Sequence, residues 1–159
     1  MSPRSKSKHG WASLETYLNA HDRVLRTYTK FMDQPKQYRY EWANSNYLVL
    51  KCHGIDFTTY SGNKVRVDLY KDVDIDDSNP KRLRARTSGY SYNANRPGVG
   101  NLIRYDSPDL AVTVAQSTPF HHQFHHKHDW TSGVEQIIRI SDDNWPHVHE
   151  FLNEVLSTF

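Results

Sequence analysis

Cysteine is almost missing from these 159 residues, and long apolar runs are missing altogether. The single thiol, Cys52, excludes an intramolecular disulfide and any cysteine-rich zinc module. It sits in the apolar run "YLVLKC", which predicts a buried, inert thiol. No stretch approaches a membrane span, and "MSPRSKSKHG" lacks the apolar centre of a signal peptide. The expectation is a cytoplasmic chain without membrane contact. A dominant charge is missing too: 20 Lys and Arg against 18 Asp and Glu leave +2, too little to announce a nucleic-acid binder. Apolar residues make up only 36% and mean hydropathy is −0.82, values that would fit disorder if aromatics were scarce. Aromatics reach 13%, mostly inside alternating segments, so a folded domain with a small aromatic core is expected.

The length fits one domain. Residues 1–12 read as a flexible basic arm carrying Arg4, Lys6 and Lys8, and residues 13–159 as a single α+β domain. Leu14, Tyr17, Leu18, His21, Val24, Leu25, Tyr28 and Phe31 recur at helical spacing, with Ser13 as N-cap and Pro35 as the stop. The period then falls to two through "YRYEWA", "NYLVLKCHG", "VRVDLYKDV", "RLRARTSGYSY" and "NLIRYD". The carboxylates of residues 72–77 read as a hairpin loop, without the Gly and distal Glu of a calcium loop. A last helix is expected to begin within "SDDNWP" and to turn Trp145, Val148, Leu152, Val155 and Leu156 inward. No crossover helix separates the strands. The fold class is therefore a mostly antiparallel meander sheet with the N-terminal and C-terminal helices packed on one face.

Three places carry candidate chemistry. If residues 82–92 are extended, Arg82, Arg84, Arg86, Tyr90 and Tyr92 share one face. Such a guanidinium row calls for something anionic across it: a carboxylate row, a partner or a phosphate backbone, with the tyrosines stacking on bases. "LIRYD" puts Leu102, Arg104 and Asp106 on one face and Ile103 and Tyr105 on the other. An Arg–Asp pair of this kind is a structural ion pair, or it orients an imidazole or binds a phosphoryl group.

The densest signal is "FHHQFHHKHDW" at residues 120–130, where His121, His122, His125, His126 and His128 make up half of ten histidines. Read as a helix, two pairs stand at i, i+4, the spacing that lets two imidazoles hold one metal ion. No Glu lies between them, which removes the zinc-protease pattern. Read as a strand, which Pro119 and the neighbouring strands favour, His122, Phe124, His126, His128 and Trp130 line one face. His121, Gln123, His125 and Lys127 then line the other. His126 and His128 would stand roughly 6–7 Å apart, which suits an acid and a base flanking a phosphate, or two ligands on one ion. His21, His53, His147 and His149 read as incidental.

"RARTSGYSY", then "RYDSP" at 104–108, then "PFHHQFHHKH" at 119–128, then a C-terminal helix resembles the TumE family, the toxins of toxin–antitoxin modules. The shared pattern runs as a Tyr-containing strand, an Arg-Tyr-Asp-Asn segment and a Pro-His-His-Lys-His segment. The likeness covers roughly residues 47–156, and its specific part is short; Ser107 and Phe124 depart from the pattern, and "DLAVTVAQST" differs from the family's linker. The resemblance implies a growth-inhibiting protein held in check by an antitoxin protein, often a DNA-binding one. It carries over to Arg104, Tyr105 and Asp106 and to His125, His126, Lys127 and His128.

Three functions follow as expectations. In a metal-independent ribonuclease, His126 or His128 takes the 2′-hydroxyl proton and the other protonates the leaving 5′-oxygen. Arg104 and Lys127 stabilise the added charge, Asp106 orients an imidazole, and Arg82, Arg84, Arg86, Tyr90, Tyr92 and Tyr105 bind RNA, with no cofactor. In a binding module, the basic face receives the acidic antitoxin or nucleic acid without catalysis. In a metal protein, ligands come from His121, His122, His125, His126 and His128, completed by Asp106 or Asp129, although any metal is expected to be adventitious.

Overall fold

The computed structural model describes residues 8–108 and 120–159; "DLAVTVAQST" and Pro119, like residues 1–7 of the expected arm, lie outside the described residues. Helix α1 spans Leu14–Tyr28 because Ser13 Oγ accepts from Thr16 N at 3.1 Å and Glu15 complements the positive end of the first turn. Its apolar stripe buries Tyr17, Leu25 and Tyr28, and a 3₁₀ turn at Thr29–Phe31 ends it.

The strands are β1 (Ala12–Ser13), β2 (Arg39–Asn44), β3 (Tyr47–Thr58), β4 (Lys64–Asp76), β5 (Arg84–Arg96), β6 (Gly100–Asp106), β7 (His126–Asp129) and β8 (Gln136–Arg139). They form one antiparallel sheet in the order β2-β3-β4-β5-β6-β7-β8, with β1 pairing the first residues of β5. Helix α2 (Val148–Thr158) joins α1 on one face, which gives the expected α+β meander. Alternation explains the core. Val65, Val67, Leu69, Val73 and Ile75 of β4 meet Leu48, Leu50, Cys52, Ile55 and Phe57 of β3 beneath Phe151, Leu152, Val155 and Leu156. Cys52 is buried, and burial pushes its thiol up to about 11, the inert state expected of it.

Four features depart from the sequence reading. Strand β4 runs on to Asp76, because Val73 and Ile75 keep the inward phase through residues that read as a loop. Helix α2 begins at Val148, not within "SDDNWP"; its start is set where the Glu150 carboxylate accepts from His147 N at 2.9 Å. Residues 8–12 are tied down: His9 stacks on Trp145 with ring centroids 3.2 Å apart, and Ala12 pairs with Ala85.

The fourth departure is a β-bulge. Asp72 pairs with Gly89 but Val73 pairs with Thr87, so Ser88 is an extra residue in β5. Before it, Arg84 and Arg86 point away from the helices; after it, Tyr90 and Tyr92 point toward them. Tyr90 and Tyr92 are 3% and 0% exposed, so they are core residues and not a platform for bases. Arg82 precedes the strand and does not share the row.

Candidate metal centre

The site forms on the helix-free face, where β6 and β7 run side by side. Asp106 pairs with His126 and Arg104 with His128, so all four side chains emerge on one face. His126 Nε2 and His128 Nε2 lie 3.7 and 3.6 Å from Asp106 Oδ2. The three ligand atoms are within 4.8 Å of one another. Both rings are buried although they face away from the core: Trp130 stacks on His128 at 5.4 Å, and His122 stacks on His126 at 5.8 Å.

The other ring nitrogens decide the tautomers. His126 Nδ1 is 2.7 Å from the Phe124 carbonyl, and His128 Nδ1 is 2.6 Å from Glu135 Oε1. A carbonyl and a carboxylate only accept, so each Nδ1 donates, and in the neutral ring each Nε2 turns its lone pair toward Asp106. Burial, ahead of any neighbouring charge, holds the pKa of His126 below its ordinary value and favours that neutral form. Two imidazoles oriented by outer partners, aimed at one carboxylate, are the donor set of a 2-His-1-carboxylate metal site. The two nitrogen–carboxylate separations, 3.7 and 3.6 Å, also come close to the roughly 3.4 Å that two bonds of about 2.1 Å at a tetrahedral angle impose.

A groove of about 430 Å³ opens beside the trio, lined by Asp106, His126, His122, Arg104, Asp72 and Gly89. Arg104 Nε donates to Asp106 Oδ1 at 3.0 Å and lies 2.8 Å from Oδ2, while its guanidinium stays half exposed. Asp72 accepts from the Tyr47 and Tyr70 hydroxyls, so the groove floor carries two carboxylates. Gly89 makes room for the first of them: a Cβ there would stand 2.8 Å from Asp72 Oδ2. Ser107 latches the end of β6 to β5; its Oγ accepts from Tyr90 N at 2.9 Å.

Other expected site residues fall elsewhere. Lys127 emerges on the opposite face, where its Nζ meets Glu154 of α2 at 3.0 Å; alternation along β7 forbids it from sharing a substrate with His126 and His128. Tyr105 follows it inward, donating to Glu154 and packing on Phe151, so it is no substrate contact. His125 also leaves the site: it lies beside the stacked Tyr90–Trp145 pair, its ring 5.6 and 5.7 Å from theirs, and bonds the Tyr90 hydroxyl at 3.0 Å. The expected long strand is broken, since Phe120–Gln123 is a 3₁₀ turn; the side chain of His121 lies outside those described. Arg86 pairs with Asp74 at 3.6 Å and Arg84 stands opposite Asp76, so the arginine row faces carboxylates of its own sheet.

Glu135 is the functional neighbour that the sequence reading missed, because it reaches His128 through the β7–β8 hairpin. Gly89 carried a usable signal, an isolated glycine inside an alternating strand, which marks a bulge or a close approach. No helix among the described residues is long and apolar enough to cross a membrane. Comparison with known protein families, with curated proteins and with solved structures finds no match.

Proposed function

We propose that the chain is a metal-assisted RNA phosphodiesterase, the growth-inhibiting half of a cytoplasmic toxin–antitoxin pair that a partner antitoxin restrains. The observation that carries the chemistry is the convergence of His126 Nε2, His128 Nε2 and Asp106 Oδ2, with each Nδ1 already engaged by an acceptor. An acid–base pair needs the phosphate between its imidazoles. Here a carboxylate stands at that point, and it repels an anion while attracting a cation. The same holds for the groove floor, where Asp72 and Asp106 admit a phosphodiester far more easily once a cation offsets them.

Asp106, His126 and His128 would hold the ion; a divalent cation there supplies Lewis-acid polarisation of a phosphoryl oxygen and activation of water. Glu135 and the Phe124 carbonyl fix the ligand rings. Arg104, half exposed at the groove, is placed to pair with a non-bridging phosphate oxygen. The toxin role rests on the resemblance of the "RYDSP" and "HHKH" segments.

The test is cleavage of single-stranded RNA by chelator-stripped protein, with manganese or zinc restored singly. Cleavage is expected only after metal return and is expected to vanish in Asp106→Asn. Cleavage that persists in chelator across pH 5 to 8 would hand the site back to acid–base chemistry. No cleavage with any metal would reject the nuclease.

A further inference from the structure

The helix-covered face holds a further cavity, of about 200 Å³, between α1 and the sheet. Lys71 forms part of its wall. It occupies an inward position of β4, among Leu69 and Val73, and is 4% exposed. Its Nζ donates to His21 Nε2 at 2.8 Å, a direction fixed because His21 Nδ1 faces the Tyr17 carbonyl at 2.8 Å. Lys8, His9 and His147 also line the cavity, with the Thr16 side of α1, and no Asp or Glu among the described residues does. The nearby carboxylate of α2, Glu150, is held by Lys8 Nζ at 2.8 Å and by His147 N at 2.9 Å.

We propose that this cavity binds a small tetrahedral oxyanion, inorganic phosphate or the phosphate of a small monoester, with Lys71 as its principal contact. A buried ammonium with no carboxylate partner among the described residues is costly, and the rings of Tyr17 and Tyr92, each 5.9 Å from Nζ, offset only part of that cost. An anion supplies the missing charge. The groups from every packed element agree: Lys8 and His9 before β1, His21 of α1, Lys71 of β4, and His147 at the start of α2. Burial first, and the neighbouring positive charges after it, hold His9 down to about 4 and His21 to about 3; burial alone brings Lys71 to about 7. An entering anion raises all three, so binding takes up protons and strengthens as pH falls.

Titration calorimetry of the full chain, with sulfate, phosphate and glycerol phosphate in buffers of different ionisation enthalpy, tests this. Sulfate keeps its charge between pH 6.5 and 8.5 and therefore reports the protein's own protons. The expected result is saturable binding with proton uptake, about tenfold or more tighter at the lower pH. Tighter binding of glycerol phosphate than of phosphate would support the site and identify a monoester as its ligand; the reverse would support it with inorganic phosphate. Lys71→Met should abolish binding, and Lys8→Gln at the cavity rim should weaken it several-fold if the first variant fails to fold. Binding that survives both substitutions, that ignores pH with sulfate, or that stays unsaturated at about 10 mM anion overturns the proposal.

Discussion

The two faces of the sheet bury the same kinds of side chain and surround them with opposite charge. On the open face His126 and His128 meet Asp106, and Glu135 stands behind them. On the helix face His21 and Lys71 meet each other, with His9 and His147 also lining the cavity and no carboxylate lining it among the described residues. A histidine alone therefore says little about its ligand. Lone pairs converging beside a carboxylate call for a cation, whereas a buried ammonium with no carboxylate beside it among the described residues calls for an anion. Strand alternation makes the division possible: Lys71 and Asp72 are consecutive in β4, yet one serves the cavity and the other the groove.

The largest expected effect comes from removing the charge that defines the open face. Asp106→Asn leaves two imidazoles and an amide, and divalent-ion affinity measured by calorimetry should fall by more than about 100-fold. Glu135→Gln keeps all three ligand atoms and weakens only the hold on His128, so a loss of about 10–100-fold is expected. If the two substitutions cost the same, Glu135 is itself a ligand and the donor set must be redrawn. Neither should alter sulfate binding on the helix face.

Acid separates the faces in another way. His9 and His21 bind protons in the unfolded chain near 6.5 but in the folded chain only near 4 and 3. Their pKa values are depressed by folding, so the unfolded state holds more protons in that window. Stability is present above the unfolded pKa and is lost as pH falls through the folded values. Lys71 acts with the same sign at higher pH: unfolded near 10.5 and folded near 7, it makes stability climb as pH rises between them. Urea midpoints followed from pH 10 to 4 should fall on both limbs, and His21→Leu should flatten the acidic limb alone. A flat profile in the parent chain would mean that both rings stay solvated.

Much of the frame was legible from periodicity. The apolar stripe of α1, the inward residues of β3 and β4, and the shared face of Arg104 and Asp106 all follow from spacing, because local alternation and helical period reflect which face is buried. The pairing of His126 and His128 on one face followed for the same reason. What failed was the carry-through past Ser88: one inserted residue inverts every later side chain, and it moved Tyr90 and Tyr92 from a proposed RNA face into the core. Glu135 and His9 were hidden because their contacts, with His128 and Trp145, depend on chain return and not on local period.

The smallest expected effect concerns the basic groups that neither face buries. Arg84 and Arg86 stand on the open face, and their guanidiniums approach the Trp11 ring to 5.9 and 4.6 Å. Arg86 reaches Asp74 at 3.6 Å, beyond good hydrogen-bond distance, with both side chains well exposed. Water screens such a pair and side-chain entropy opposes it, so its net worth is small. Arg84→Gln with Arg86→Gln should leave the urea midpoint within error and change RNA cleavage less than about threefold. The contrast with Asp106→Asn is the point of the measurement: charges of similar density, one set buried against a carboxylate and one solvated, should differ in effect by orders of magnitude. A loss of RNA binding in the double variant, with metal affinity intact, would instead assign the arginine row to the nucleic acid and move the recognition surface along β5, away from the groove.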